Sequence, residues 1–574
     1  MSAIAERQRH ATAANPILHR SFAWSREDVV AGLLVGLLCA FLLISIALPL
    51  WALLSKSFLN QRGEFVGLAN YAAYFANPIL VDSLFNSLFI AALSTVIVIP
   101  MAFTYAYALT RTCMPGKPFF YALALLPLFA PSLMSALSLV YIFGNQGFLR
   151  GLLFGNSIYG PIGIVIAQVT YTFPHAVLIL VTALGLSDGR LYEVAEVLGT
   201  SKRRVFWTVT LPGAQYGLIS ASFVVFTLVI TDFGIPKVIG GQYNVLATDV
   251  YRAVVGQQNF EMGAVVGMIL LVPAVLAFLV DRVVNRRQVA LLSARAVPYQ
   301  PSPKTSRDVG FVAYCVIVGL LVAAALGVAV WASFIQYWPY NLTLTTANYN
   351  FPRFEPAGWN PYFTSVKMAV LASVIGTAII FTGAYLIEKT KAFPLARGFA
   401  HFLAMLPVAV PGLVLGLGYV FFFNAPWNPL NVFYATLTIL VVNTITHFFT
   451  VSHITALTAL KQIDKEFEAV SASLKVPFWN TYRRVTVPIC LPAILDIAVY
   501  LFINAMTTVS AVIFLYGAHT KLASISIVHM DESGFIAGAA AMATMIVATA
   551  IGVKVLHILL DRFLLGRFQA WRRR

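Results

Sequence analysis

The chain has 574 residues, of which 59% are hydrophobic and 10% are charged, with a formal net charge of +16. Soluble domains carry roughly 25% charged residues, so this composition excludes an ordinary soluble protein and indicates an integral membrane protein. The four cysteines lie in or beside apolar runs without paired spacing, which argues against a disulfide framework or a zinc site: Cys39, Cys113, Cys315 and Cys490.

The sequence contains twelve apolar runs of about 20 residues, the length at which a helix crosses a bilayer. We therefore predict an all-α polytopic membrane protein with about twelve spans. They lie near 29–54, 87–110, 119–144, 158–186, 213–235, 262–281, 310–335, 364–387, 398–423, 431–459, 489–516 and 534–560. The first run is longer than the core of a signal peptide, so we expect it to be retained as a span.

The lysines and arginines predict the orientation of these spans. An even number of spans places both termini on one side, and taking that side as the cytoplasm puts 29 of the 38 Lys and Arg residues in cytoplasmic segments. Loops on the cytoplasmic side of membrane proteins carry this excess. We expect both termini in the cytoplasm, and the net charge then reports the topology rather than an anionic cargo.

The second half of the sequence repeats the first. The segment LLPLFAPSL at 125–133 matches MLPVAVPGL at 405–413, and AYAL at 106–109 matches AYLI at 384–387. Repetition at a fixed offset predicts two copies of one fold, here two tandem six-helix domains of parallel topology. The predicted divisions are a cytoplasmic N-terminal segment 1–27, transmembrane domains 28–285 and 309–562, a cytoplasmic linker 286–308 between them, and a basic cytoplasmic tail 563–574.

A polar, basic stretch, EVAEVLGTSKRRVFWTVTLP, occupies residues 193–212 between the fourth and fifth runs. Ser187 or Asp188 can cap a first short helix, Gly199 can stop it, Ser201 can cap a second, and Pro212 can end the unit. The first helix carries an apolar stripe at helical spacing: Leu191, Val194, Ala195 and Leu198. We predict a helix-turn-helix projection into the cytoplasm that can dock in a groove of a soluble partner.

A second copy, EFEAVSASLKVPFWNTYRRVTVP, occupies residues 466–488 before the eleventh run. A featureless basic loop has no reason to recur at the same place in each half, so recurrence favours docking. The copy is altered, because Lys475 stands where Gly199 stands and Ala469 where Glu193 stands, with Glu466 and Glu468 displaced upstream. We therefore expect the two loops to contribute unequally.

Proline and glycine clusters mark places where helices break at membrane depth. Irregular backbone there is tolerated only where it lines a cavity or is buried in protein. Two clusters are equivalent, Pro127 with Pro131 and Pro407 with Pro411, and each is equally well explained as a kink. The third, TDFGIPKVIGG at 231–241, and its counterpart TTVSAVIFLYG at 507–517 contribute the candidate residues of a translocation pathway: Thr231, Asp232, Gly234, Pro236, Thr507 and Ser510.

The sequence contains no G-x4-G-K-[ST] phosphate loop, so we expect no ATP hydrolysis and no cofactor in this chain. His447 and His453 are six residues apart, which points them to different sides of a helix, so they favour structural roles and we predict no metal site. An ion-coupled secondary transporter is the alternative class. Such proteins need ionisable residues within the membrane, and only Asp232 and Asp496 qualify. ATP-dependent uptake would separate the two classes.

The pattern Glu193-x-Ala195-x3-Gly199, followed by Leu211-Pro212, resembles the EAA coupling loop of the membrane subunits of ABC importers. The resemblance implies a type I importer fold in a bacterial cytoplasmic (inner) membrane and a non-enzymatic translocation subunit. It also implies two separate ATP-binding subunits that hold ATP and Mg, an extracytoplasmic substrate-binding protein, surrounding lipid, and no nucleic acid. The implied coupling residues are Glu193, Ala195, Gly199, Phe206, Leu211 and Pro212 in the first loop and Asp464, Glu468, Leu474 and Pro488 in the second.

The fused plan resembles the iron and phosphonate branch of these importers, and SLKVPFWNTYRRVTVPICLPAILDI at 473–497 with DFGIPKVIGG at 232–241 is most similar to 2-aminoethylphosphonate permeases. Ferric-iron permeases are the alternative. The outer segments carry the cations Lys237, Arg252, His519, Lys521 and His529 against the acids Asp249, Glu261, Asp531 and Glu532. The helix ends at Gly234 and Pro236 offer backbone N–H groups to an anion. These features favour the phosphonate.

Overall fold

The computed structural model describes residues 25–291, 297, 299–464 and 466–565. Helices dominate the first half. They are α1 (Arg26–Ser57), α2 (Ala69–Ala76), α3 (Pro78–Arg111), α4 (Lys117–Ala124), α5 (Ser132–Phe143), α6 (Pro161–Gly185), α7 (Arg190–Val197), α8 (Lys202–Thr231), α9 (Gly234–Ile239), α10 (Leu246–Tyr251) and α11 (Phe260–Leu291).

The second half repeats this order and adds a short β-hairpin, β1 (Ile335–Tyr337) paired antiparallel with β2 (Asn341–Leu344). Its helices are α12 (Thr305–Ser333), α13 (Asn360–Lys389), α14 (Pro394–Met405), α15 (Gly412–Phe423), α16 (Leu437–His447), α17 (Phe449–Lys461), α18 (Glu466–Ser473), α19 (Phe478–Ile489), α20 (Leu491–Thr507), α21 (Ala523–Glu532) and α22 (Ile536–Leu560). Helices α11 and α12 extend into the predicted linker, 286–308, from either end.

The all-α polytopic fold is confirmed, but not as twelve straight spans. In the described part of the chain, eight helices are long and apolar enough to cross a bilayer, and three bent helix pairs raise the number to eleven. The remaining predicted run, the third, at 119–144, is broken between α4 and α5 at Pro127 and Pro131. The matching pair α14 and α15 bends by 116° at Pro411. A proline ring lacks an N–H group and clashes with the preceding turn, so helices end at these places.

The first long helix of each half packs on the other half. Helix α1 lies against α14 and α15, while α12 lies against α4 and α5. The hydroxyl of Tyr314 on α12 donates to the carbonyl of Met101 on α3 at 2.8 Å, and the N–H of Ala329 donates to Ser138 on α5 at 3.1 Å. Because of this exchange, one continuous cluster of buried apolar side chains runs through both halves.

The remaining helices of each half form equivalent bundles. In the first half α3, α6 and α8 pack together, and in the second half α13 packs on α17 and α20. Short helices α9, α10 and α21 follow the broken ends of α8 and α20. The loops that contain α7 and α18 lie at the opposite end of the bundles, beside the last residues of α3 and α13. We call them the first loop (residues 187–212) and the second loop (residues 464–488).

Candidate functional site

The first loop forms the predicted helix-turn-helix. Helix α7 begins at Arg190, whose N–H donates to Oδ1 of Asp188 at 3.1 Å. Gly199 has φ +62°, and the N–H of Thr200 donates to the carbonyl of Ala195 at 2.9 Å, so the chain reverses in a left-handed turn that glycine favours. The hydroxyl of Ser201 then accepts from the N–H of Arg204 and caps the second helix.

Pro212 does not end this unit, which corrects the sequence prediction. Helix α8 continues through it, and residues 206–210 form a π-helical turn in which the N–H of Leu211 donates to the carbonyl of Phe206. The second loop has the same π-helical turn before Pro488, at residues 482–486. The wider turn shifts the hydrogen bonding by one residue, so the helix passes a proline that has no N–H to donate. In the first loop the second helix is therefore continuous with the span that follows it, whereas in the second loop α19 and α20 meet at a bend of 77°.

The apolar stripe of α7 faces away from the bundle. Val197 is 88% exposed and Leu198 73% exposed, Leu191 and Val194 are also exposed, and Ala195 alone on this helix is buried. Glu193 is exposed and has no ion pair among the residues that the structure describes. Contiguous exposed apolar surface marks a site of interaction. The geometry fits a projection whose partner is another molecule.

The second loop reproduces the turn in spite of its altered sequence. Lys475 adopts φ +53°, and the N–H of Val476 donates to the carbonyl of Ser471 at 2.9 Å, the counterpart of the bond from Thr200 to Ala195. The replacement of glycine by lysine has therefore not changed the path of the backbone. It leaves a side chain in a conformation that costs a non-glycine residue roughly 1–2 kcal/mol.

The second loop also presents an apolar groove of about 810 Å³. Its lining includes Phe467 and Val470 from α18 and Leu474 and Pro477 from the turn that follows. Oδ1 of Asp464 accepts from the N–H of Glu466 at 3.0 Å, as predicted for a cap at the start of α18. Leu474, the counterpart of Leu198, is 70% exposed, so the two loops expose equivalent apolar positions.

The loops differ in how each is fixed to the bundle. Arg111, the last residue of α3, donates to the carbonyl of Leu184 at 2.7 Å and to the hydroxyl of Ser187, and its guanidinium lies 5.0 Å from the ring centre of Tyr192 on α7. Lys389, the last residue of α13, instead forms an ion pair of 2.6 Å with Glu468 on α18. Glu468 was predicted as a docking residue, but its carboxylate binds within the chain.

Aromatic side chains hold the second helix of each loop. The ring of Phe206 lies 6.1 Å from Phe103 and 6.3 Å from Tyr107, both on α3. Its counterpart Tyr482 lies 4.8 Å from Tyr385 on α13. Leu211 is partly buried beside this contact. Phe206 therefore anchors the loop rather than contributing to its exposed face.

In the first half, the candidate pathway residues surround the break between α8 and α9. Oδ2 of Asp232 accepts from the amide of Gln168 on α6 and from the N–H of Ile235, each at 3.0 Å. A Cβ at Gly234 would lie 2.6 Å from Oγ of Ser132, so glycine allows α9 to rest on the start of α5. Pro236 is buried in α9. Two breaks that were predicted separately, at 127–131 and 231–241, are thus in contact.

In the second half the corresponding helix breaks are also in contact, but through different polar groups. A Cβ at Gly412 would lie 2.6 Å from Oγ of Ser510, and the amide of Asn443 donates to the carbonyl of Ala511 at 2.7 Å. Thr507, like Thr231, donates its hydroxyl to the carbonyl four residues earlier in its own helix. An amide and a backbone carbonyl replace the carboxylate of Asp232, so the pathway candidates include an ionisable side chain in the first half but not in the second.

The cations at the outer openings are paired with acids, which corrects the basis of the phosphonate prediction. Lys237 forms an ion pair of 2.6 Å with Glu532, Lys521 one of 2.9 Å with Glu355, and Arg252 one of 3.5 Å with Asp249. Glu261 is likewise paired with Lys56 at 2.8 Å. The N–H of Ile235 at the break of α8 binds Asp232, so these three cations and this N–H group already have partners among the described residues.

Sequence reasoning did not identify Glu355, Gln168 or Arg111. Glu355 is buried and binds Lys521, which lies 166 residues later in the sequence. No local sequence pattern predicts an ion pair between residues so far apart. Arg111 could have been found through the repeat, because AYALTR at 106–111 aligns with AYLIEK at 384–389 and places a cation at the same position of each half.

A family model described as "Binding-protein-dependent transport system inner membrane component" matches residues 99–289 and 379–565, one segment in each half. The chain is 28% identical over 460 residues to a putative ferric transport system permease protein of Haemophilus influenzae, covering 77% of this chain and 71% of that protein. It is 28% identical over 475 residues to a ferric transport system permease protein of Actinobacillus pleuropneumoniae, covering 79% and 67%. A spermidine/putrescine permease protein of H. influenzae is 24% identical over 271 residues, covering 44% and 94%.

Proposed function

The chain belongs to the family of binding-protein-dependent transport system inner membrane components, and from this premise we propose that it is the permease of an ATP-driven ferric-iron importer. The observation that carries the importer assignment is the duplicated helix-turn-helix, one in each half, with exposed apolar side chains on α7 and α18. Each loop docks one separate ATP-binding subunit. Both loops and both termini then face the cytoplasm, where ATP is available.

Docking residues follow from exposure in the two loops. Glu193, Leu198 and Leu474 contact the ATP-binding subunits directly. Gly199 acts through the turn, and Asp464 through the start of α18. Phe206, Leu211 and Pro212 lie within α8, so a displacement of the first loop moves this span, and Pro488 lies just before the bend that joins the second loop to α20. Ala195 packs beneath α7. Glu468 positions α18 through Lys389.

The cargo proposal draws on two independent supports. The ferric permeases of H. influenzae and A. pleuropneumoniae are similar to this chain over most of its length. The pairing of Lys237, Arg252 and Lys521 with acids also weakens the argument from positive charge for a phosphonate. Ferric iron requires hard oxygen ligands or a chelating anion that travels with it. Among the proposed pathway residues Thr231, Asp232, Thr507 and Ser510, Asp232 supplies the carboxylate.

Uptake into proteoliposomes tests this proposal. The chain is reconstituted with its ATP-binding subunits and the binding protein, and uptake of radioactive ferric iron and of 2-aminoethylphosphonate is measured with ATP or with a proton gradient alone. We expect ATP-dependent uptake of iron. Uptake of 2-aminoethylphosphonate alone would overturn the cargo assignment, and uptake driven by the gradient without ATP would replace the importer by a secondary transporter. Glu193→Lys is the coupling-deficient control.

A further inference from the structure

The segment that joins the two halves is described at Val297 and at residues 299–304, which we call the joining segment, and it contacts the first loop. The carbonyl of Val297 accepts from the N–H of Gly189 at 2.7 Å, and the N–H of Val297 donates to Oδ1 of Asp188 at 3.3 Å. Gly189 and Asp188 immediately precede α7. The joining segment therefore pairs with the backbone at the point where α7 begins.

Tyr299, two residues further on, completes this contact with its side chain. Its ring centre lies 4.4 Å from that of Tyr192 on α7 and 4.7 Å from the guanidinium of Arg111 at the end of α3. Arg111 thus contacts two aromatic rings while it donates to the carbonyl of Leu184. A guanidinium held close to aromatic rings is attracted to them. Three parts of the chain, α3, α7 and the joining segment, meet at this side chain.

The joining segment is also attached at its other end. The carbonyl of Pro301 accepts from Sγ of Cys113 at 3.1 Å, and Oδ1 of Asp308 accepts from the N–H of Cys113 at 3.3 Å. Cys113 lies in the turn between α3 and α4. The segment is therefore fixed to the first half on both sides of Tyr299 before the chain continues as α12, which packs on the same half.

The second loop achieves the corresponding contact without an added aromatic ring. Glu468 occupies the position of Tyr192, and Lys389 that of Arg111, and these two side chains form an ion pair directly. Among the described residues, it is in the first loop that the cation at the end of the bundle helix contacts a ring from the joining segment. This difference between the loops indicates that the ring of Tyr299 helps to hold the first loop in place.

We propose that Tyr299 and Val297 are positioning residues for the first loop. They hold the start of α7 against Arg111, so that the exposed stripe of α7 meets the ATP-binding subunit at a fixed angle. This rests on the proposed function of α7 as a coupling helix. Because the joining segment leads into α12, the angle of α7 depends on a helix that follows the first half in the sequence.

The first test uses the purified chain in lipid nanodiscs and requires no partner. We expect Tyr299→Ala to speed hydrogen–deuterium exchange of the α7 amides roughly threefold to tenfold and to leave α18 unchanged. Tyr299→Phe keeps the ring and should retain the wild-type rate. Tyr340→Ala, at a tyrosine that is 72% exposed, is the matched control. Equal exchange of α7 in Tyr299→Ala and wild type would overturn the proposal.

The second test uses the complex with the ATP-binding subunits. We expect Tyr299→Ala to lower substrate-stimulated ATP hydrolysis roughly threefold to tenfold, and Tyr299→Phe to restore it. Faster exchange in α7 with full stimulation would overturn the positioning role. If the wild-type complex shows no stimulation, the proposed function fails, and the exchange of α7 in the isolated chain still decides whether Tyr299 holds the helix.

Discussion

Replacing Gly199 with alanine should loosen the first loop by backbone strain alone. Gly199 has φ +62°, and a Cβ built on it meets no atom within 4 Å. The added methyl group therefore clashes with nothing outside its own residue. Any loss of stability must come from holding an L-residue in the left-handed region.

The expected magnitude is about 1 kcal/mol, the lower part of the range for a non-glycine residue in this conformation. An opening free energy reduced by about 1 kcal/mol increases the open population, and with it the exchange rate, about fivefold. Lys475 already bears this strain at φ +53°. Lys475→Gly should relieve it, but glycine also loses more backbone entropy on ordering, so we expect exchange to slow only about twofold.

Hydrogen–deuterium exchange measures both effects in one experiment. The amides of Thr200 and Val476 report the turns, because each donates across its turn to the carbonyl five residues earlier. Gly398→Ala is the matched control, since Gly398 lies within helix α14, also has open space around it and lacks a positive φ. Alanine there should slow local exchange slightly, because alanine favours a helix over glycine by about 1 kcal/mol.

Two results would refute this reasoning. Unchanged exchange at Thr200 in Gly199→Ala would mean that the left-handed turn carries no cost in this loop. Faster exchange at Val476 in Lys475→Gly would mean that the lysine side chain stabilises the second turn, and that the two loops differ in more than sequence.

Three further changes test other parts of the structure. Glu193→Lys should leave the chain inserted in the membrane but abolish substrate-stimulated ATP hydrolysis. Ala469→Lys, at the matching position of the second loop, should lower this hydrolysis less. Equal losses of hydrolysis in the two variants would show that the loops contribute equally. Lys237→Glu should lower the thermal stability of the chain, and the double variant Lys237→Glu/Glu532→Lys, which swaps the two charges, should restore it. The coupling energy between the two positions should be roughly 0.2–1 kcal/mol. Additive effects of the two substitutions would contradict an ion pair between the halves. Burial, with a smaller contribution from Glu532, raises the pKa of Asp531 to about 7. The folded state then binds a proton that the unfolded state releases, so stability should rise as the pH falls from 7 towards 5, and this slope should be shallower in Asp531→Asn.

Local features were predictable from the sequence because their causes lie within a few residues. The stripe of Leu191, Val194 and Leu198, the cap at Ser201 and the turn at Gly199 depend on neighbouring residues, and all three form as predicted. The turn at Lys475 was not predicted, since lysine has no preference for a left-handed backbone. The repeat nevertheless carries that information, because Lys475 aligns with Gly199.

Contacts between distant segments were not predictable in this way. Pro127, Pro131 and Gly234 marked two breaks correctly, but no periodicity shows that α9 rests on the start of α5. Counting the charges at the outer openings was incomplete, because Lys237 and Lys521 are paired with acids that fold onto them from distant segments. Pairing in three dimensions decides whether a cation is available to a ligand.

The exchange of α1 and α12 between the halves has a consequence for biosynthesis. As the chain leaves the ribosome, α1 enters the membrane long before α14 and α15, the helices on which it packs. Helices α4 and α5 likewise lie uncovered until residue 333 has been made. We therefore expect membrane insertion factors to stay bound to the nascent first half until α12 has been inserted. A chain truncated after residue 291 should be degraded rather than accumulate.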